Sequence, residues 1–77
     1  FMINIYGKDQ CPRCDMAKNI AEQGGIEYVY KKLGVDYTKE DLLEIFPNAM
    51  SVPQISSDDT PIGGYPEFSR WIQNKDN

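Results

Sequence analysis

Two cysteines, Cys11 and Cys14, stand two residues apart in a 77-residue chain that has no other cysteine and no histidine. A thiolate at one of them can attack a disulfide. Its neighbour can then displace it from the mixed disulfide, so the pair suits thiol–disulfide exchange. Stapling is a poor use for it, because closing so short a loop removes little entropy from the unfolded chain. Metal binding is a poor use as well. Tetrahedral zinc takes four ligands, usually Cys or His. This chain offers two cysteines, so zinc would need carboxylates or a second subunit. No metal site is expected.

Exchange at neutral pH needs one sulfur held as an anion, and the flanking elements supply the means. Met2–Tyr6 reads as a short strand with Ile3 and Ile5 on one face, ended by Gly7. Pro12–Gln23 reads as a helix, with Pro12 in the first turn where no amide donor is needed and Gly24-Gly25 as the stop. Met16, Ala17, Ile20 and Ala21 form its apolar stripe. Cys11 therefore falls at the N-cap or just before it. Unpaired amide donors and the helix dipole stabilise an anion there, lowering a thiol pKa from about 8.5 to between about 3.5 and 7.5. Lys8 and Arg13 add positive charge beside it, partly offset by Asp9 and Asp15. Cys11 is expected to be the exposed nucleophile. Cys14 lies one turn further in, on the side of Ala17 and Ala21, and is expected to be the buried resolving thiol. Residues three apart on a helix are neighbours, so the sulfurs can bond with little backbone movement.

The remaining elements form a scaffold. Ile26–Lys31 reads as a second strand. Thr38–Phe46 reads as a helix opened by a capping box of Thr38 and Asp41, buried through Leu42, Leu43 and Phe46, and ended by Pro47. Val52–Ser56 and Thr60–Gly63 read as a hairpin about Ser57-Asp58-Asp59. Pro66–Asn74 reads as a last helix with Phe68, Trp71 and Ile72 on one face. The order β-α-β-α-β-β-α makes the first two strands parallel through a right-handed crossover. A four-stranded mixed sheet with three flanking helices is expected, the first strand at its centre and the cysteines at that strand's carboxyl end.

Residues 1–77 are read as one domain. With 40% hydrophobic and 26% charged residues, the composition is that of a soluble globule. A net charge of −4 argues against nucleic acid or an anionic membrane as partner. No apolar run approaches the roughly 20 residues that span a bilayer. Phe1-Met2-Ile3-Asn4 has no basic stretch or long apolar run, so no secretion signal is expected. A cysteine pair that cycles fits a reducing cytoplasm.

Three segments carry a resemblance. Tyr6-Gly7-Lys8-Asp9-Gln10-Cys11-Pro12-Arg13-Cys14, Ser51-Val52-Pro53-Gln54-Ile55 and Ile62-Gly63-Gly64-Tyr65-Pro66-Glu67-Phe68 resemble, in order and spacing, the motifs of the dithiol glutaredoxins. The resemblance implies the thioredoxin fold and a glutathione-dependent thiol–disulfide oxidoreductase, with glutathione as co-substrate and no bound cofactor. It implies a cis bond before Pro53, turning the Val52 backbone toward the cysteines to pair with an extended substrate. It further implies that Lys8 and Arg13 meet the glycine carboxylate of glutathione, that Val52 holds its cysteine backbone, and that Gly64, Tyr65 and Glu67 hold its γ-glutamyl end. Protein disulfides and glutathionylated proteins are the implied substrates, ribonucleotide reductase among them, acted on by a monomer. A potential near about −200 to −230 mV is implied.

Two departures leave neighbouring readings open. Arg13 stands in place of the family's usual tyrosine, and Pro66 lacks the backbone N–H usual there. One alternative is a same-fold redoxin dedicated to ribonucleotide reductase and recharged by thioredoxin reductase. Another is a relative holding an iron–sulfur cluster between two subunits, which Pro12 and the nearby Cys14 disfavour. A structural domain with an idle cysteine pair is the third.

Overall fold

Alternation along a five-residue strand decides which layer each side chain serves, and β1 (Ile3–Gly7) shows it most clearly. In the computed structural model, which describes residues 2–75, Ile3 and Ile5 are fully buried on one side and Tyr6 is buried on the other. Phe1, Asp76 and Asn77, on which the expectations for the chain's ends partly bear, lie outside the described residues. The elements that follow are α1 (Pro12–Gln23), β2 (Tyr28–Lys32), α2 (Lys39–Ile45), β3 (Gln54–Ser57), β4 (Thr60–Gly63) and α3 (Tyr65–Lys75).

The sheet order is β2-β1-β3-β4, which puts β1 in the interior of the sheet as expected. β1 runs parallel to β2, with Ile3 opposite Tyr28 and Gly7 opposite Lys32. It runs antiparallel to β3, with Ile5 opposite Ile55 and Tyr6 opposite Gln54. β3 and β4 form the hairpin, and its register shifts between Ile55 and Ser56. Asp58 takes the left-handed conformation at the turn (φ 53°), which Asp tolerates better than most residues.

One layer is built from Ile3, Ile5, Ile55, Ala17 and Ala21 of α1, and Phe68 of α3. The small alanines let α1 lie close to the strand. Phe68 fills the remaining space and stacks on Trp71. The other layer gathers Tyr6, Tyr37, Leu42 and Phe46, so α2 covers the opposite face. The sheet is thus flanked on both sides.

Several local expectations shift. β1 runs Ile3–Gly7 rather than Met2–Tyr6, so Gly7 is its last residue and not its stop, and α3 runs Tyr65–Lys75 rather than Pro66–Asn74. β2 starts at Tyr28 rather than Ile26, because the Ile26 amide donates to Ala21 O (2.9 Å) and still belongs to the exit of α1. β3 starts at Gln54 rather than Val52; Pro53 has no amide to give to a ladder. Met16 is 42% exposed and drops out of the α1 stripe, whose buried positions are Cys14, Ala17 and Ala21. Leu43 is half-buried, whereas Leu42 and Phe46 are buried as expected.

Candidate functional site

Cys11 is the N-cap of α1, with extended backbone (φ −127°, ψ 101°). Its Sγ accepts from the Cys14 amide at 3.2 Å, and its carbonyl accepts from the Asp15 amide at 3.0 Å. Pro12 opens the helix, as its missing donor allows. An acceptor at this place gains from the unpaired amides of the first turn, and an anionic sulfur gains most.

Cys11 and Cys14 are joined in a disulfide, their Cα atoms 5.2 Å apart. That spacing lies within the range in which two cysteines bridge without backbone movement. Cys14 is fully buried beside Ala17 and Ala21. Cys11 keeps 7% of its surface, so it is the more accessible of the two but far less exposed than the sequence reading had it. Its sulfur is engaged there by the bond to Cys14 and by the Cys14 amide at the helix end.

The loop before Cys11 is held from one side. Gly7 O accepts from the Tyr37 hydroxyl at 2.7 Å and from the Leu33 amide at 2.9 Å. Lys8 O accepts from the Tyr30 hydroxyl at 2.9 Å. Asp9 pairs with Lys32 at 3.3 Å. Gly7 has a steric reason to be glycine, because a Cβ there would lie 2.7 Å from Cζ of Tyr30. The loop ends on Gln10 in the left-handed region (φ 53°), an uncommon state for a non-glycine residue. These ties direct the Gly7 and Lys8 carbonyls toward β2 and the turn after it. Burial pushes the Tyr37 hydroxyl up to about 12, so it stays a donor at any physiological pH. Burial also raises Tyr30.

The charges near the sulfurs sort themselves. Asp15 pairs with Lys18 at 3.5 Å and Asp9 with Lys32, so both acids that offset the local charge in the sequence have cationic partners. Lys8 and Arg13 are exposed and, among the described residues, have no carboxylate partner.

The Val52–Pro53 peptide is cis, as the resemblance implies. Tyr6 lies opposite Gln54, so Val52 and Pro53 fall beside the carboxyl end of β1, the end from which the chain enters α1. Lys8 and Val52 line one groove. Pro53 abuts Gly64: a Cβ on Gly64 would sit 3.5 Å from Pro53 O. The first two motif segments and the Gly63-Gly64 turn therefore meet along one rim.

The start of α3 differs from what was expected of it. The Gly64 amide donates to Oε1 of Glu67 at 2.9 Å, the reciprocal half of a capping box. Glu67 also faces Arg70 at 3.8 Å. Glu67 thus caps its own helix, and the Gly64 amide is already engaged. Tyr65 is half-buried and packs on the first layer. Pro66 contributes no amide.

Sequence reasoning passed over Tyr30, Tyr37, Leu33, Lys39 and Met50. For Tyr37 a signal existed. It precedes the N-cap Thr38 and packs in the same cluster as Leu42 at the fourth helical position, the pattern of a hydrophobic staple.

Comparison with known proteins agrees with this geometry. Residues 3–62 match the family model described as Glutaredoxin. The chain is 36% identical over 76 residues to glutaredoxin 1 of Escherichia coli K12, covering 90% of this chain and 89% of that protein. It is 38% identical over 78 residues to the glutaredoxin of Haemophilus influenzae, covering 92% and 90% respectively. The NMR structure of oxidized E. coli glutaredoxin is similar with a TM-score of 0.85 at 34% identity, over 100% of both chains.

Proposed function

The chain belongs to the glutaredoxin family and is a thiol–disulfide oxidoreductase, and from that premise we propose a glutathione-coupled dithiol cycle centred on Cys11. The Cys11 thiolate attacks one sulfur of a substrate disulfide. A Cys11–substrate disulfide forms, and the other sulfur leaves as a thiolate that takes up a proton. The Cys14 thiolate then attacks Cys11 Sγ, forming the Cys11–Cys14 bond and releasing the second substrate thiol. A first glutathione thiolate attacks Cys11 Sγ and frees Cys14. A second attacks the glutathione sulfur of that mixed disulfide, giving oxidised glutathione and restoring Cys11. Two electrons pass from two glutathiones to one disulfide.

The observation that carries this reading is the Cys11 sulfur at the helix N-cap, accepting the Cys14 amide, with Cys14 sealed behind it. That arrangement favours ionisation at the outer sulfur and protects the inner one. The Val52 backbone pairs with the substrate or glutathione cysteine, and Lys8 and Arg13, without carboxylate partners among the described residues, attract the glycine carboxylate. Gly64, Tyr65 and Glu67 border the γ-glutamyl end. With the Gly64 amide engaged by Glu67, that end is the weaker anchor. Protein disulfides, including that of ribonucleotide reductase, and glutathionylated proteins are the substrates, in a reducing compartment such as the cytoplasm. Among the described residues no helix is long and apolar enough to cross a membrane.

The test separates the two sulfurs and the electron source. Cys11→Ser abolishes all turnover. Cys14→Ser loses reduction of protein disulfides and keeps deglutathionylation. NADPH consumption is followed with glutathione and glutathione reductase, then with thioredoxin reductase instead. Turnover confined to the second system rejects glutathione as the reductant, and an active Cys11→Ser variant reverses the assigned roles.

A further inference from the structure

Lys18 is half-buried on α1, and two contacts tie it to the chain on either side of Cys11. Its ammonium stands 4.3 Å from the centre of the Tyr30 ring and 3.5 Å from the Asp15 carboxylate. Asp15 sits in the first turn of α1, and its amide donates to Cys11 O at 3.0 Å. Tyr30, on β2, donates its hydroxyl to Lys8 O at 2.9 Å and lies so close over Gly7 that a Cβ there has no room. A cation within about 6 Å of a ring face is attracted to it. Positive charge held there also makes the phenol a stronger donor. Burial raises the Tyr30 hydroxyl, Lys18 lowers it and Asp15 raises it, so the oxygen senses both charges. One lysine thus joins the helix, the edge strand and the loop before Cys11.

The loop has need of such a tie. Between Lys8 and Cys11 stands Gln10 at φ 53°, a conformation that strains a residue with a side chain and persists only where its surroundings fix it. The charges around Cys11 come from three elements and the loop. Lys8 and Asp9 lie on the loop, Asp9 paired with Lys32 of β2 at 3.3 Å. Glu67 of α3 faces Arg70, and residues 49–53 before and at the cis bond carry no charge. On α1, Arg13 is exposed and the Asp15 carboxylate is answered by Lys18.

We propose that Lys18 and Tyr30 form a latch that positions the Cys11 sulfur, the ammonium seating the ring and the hydroxyl fixing the Lys8 carbonyl ahead of the left-handed Gln10. The proposal rests on the reading of Cys11 as the attacking sulfur and adds two positioning residues, which act on it through the loop and through Asp15. Opening the latch has two effects of one sign. The loop loses the tie that holds Cys11 at the N-cap, where amide donors favour an anion. The Asp15 carboxylate loses its counter-charge and opposes a thiolate one helical turn away.

The test alkylates the fully reduced proteins with iodoacetamide across a range of pH and locates the label by mass spectrometry. The rate at Cys11 follows its thiolate fraction. Lys18→Met keeps the length of the stem and removes the charge. It moves the midpoint to higher pH, so that below the wild-type midpoint the rate falls about twofold to fivefold. Tyr30→Phe keeps the ring under the ammonium and removes the hydroxyl, and it moves the midpoint in the same direction. The double variant falls short of the sum of the two, because each change opens the same latch. Lys18→Arg keeps the wild-type midpoint, since a guanidinium both stacks on a ring and pairs with a carboxylate. Urea unfolding of the same variants reports their stability separately. A loss of stability with an unmoved Cys11 midpoint overturns the proposal, because it leaves the two residues a structural role alone. Strictly additive shifts overturn it too, as does a Lys18→Arg variant that behaves like Lys18→Met. Label on Cys14 of the wild type in place of Cys11 is a different result and strikes the assignment of the attacking sulfur instead.

Discussion

Replacing Tyr37 by Phe removes one oxygen atom from the support of the redox loop and leaves the ring in place. The ring keeps its edge-on contact with Tyr6, 5.1 Å between centroids, and its place beside Leu42 and Phe46. The lost bond is the 2.7 Å donation to Gly7 O. That carbonyl still accepts from the Leu33 amide, so no buried acceptor is orphaned. The cost at neutral pH is then that of one neutral hydrogen bond, about 1 kcal/mol. For a domain of this size it corresponds to roughly 4–8 °C in Tm. The pH dependence is the sharper signature. Tyr37 ionises near 10 when unfolded, and burial, then Tyr30 and Tyr6, push it up to about 12 in the folded chain. Below pH 10 both states hold the proton and the group contributes no slope. As pH rises from 10 to 12, the unfolded ring loses its proton while the folded one keeps it. Stability falls, by about 2–3 kcal/mol in all. Tyr37→Phe lacks that fall. The two stability curves cross: the variant is the weaker protein at pH 7 and the stronger one near pH 12. Urea unfolding of the oxidised proteins, followed by circular dichroism at stepped pH, measures both arms. An alkaline slope that is the same in the two proteins refutes the argument. So does a neutral-pH loss above about 3 kcal/mol, which would mean that the carbonyl is orphaned after all.

Gly63→Ala is expected to cost more than about 1 kcal/mol, because the residue sits at φ 130° and a Cβ would lie 2.9 Å from Cβ of Glu67; an unchanged urea midpoint refutes this. Glu67→Ala loses the bond to the Gly64 amide and about 1 kcal/mol. Glu67→Gln keeps an acceptor oxygen and stays within about 0.5 kcal/mol of wild type. The glutamine variant raises the KM for glutathione severalfold at that unchanged stability, and an unaltered KM removes the Glu67 charge from the glutathione contacts.

What the sequence made legible was local. Pro12 and Gly24-Gly25 bracket α1, and Thr38 with Asp41 opens α2, because capping and backbone chemistry act over a few residues. The Cys11 seat followed from the same short-range logic. Ile3 and Ile5 marked the strand by alternation. What stayed hidden depends on groups far apart in the chain. The Tyr37 hydroxyl finds Gly7 O across 30 positions, and no spacing in the sequence announces that. Glu67 was read toward a ligand, although the nearby Gly64 amide engages it first. Met16 looked apolar enough for the stripe but lies two positions from Cys14, which turns it away from the sheet. The groove between α2 and Val52 draws on the turn after β2, on α2 and on the approach to Pro53, three stretches that only folding assembles.

Ile3 and Ile5 point into one layer and Tyr6 into the other. The helix that seats the sulfurs and the helix that borders the groove therefore rest on opposite sides of a shared strand, with separate packing. Drift or deliberate redesign can rewrite the outward residues of α2 and leave the bed beneath Cys14 as it was. The outward rim of α2 and the seat of the sulfurs are in that sense two modules of one small protein, able to change at different speeds.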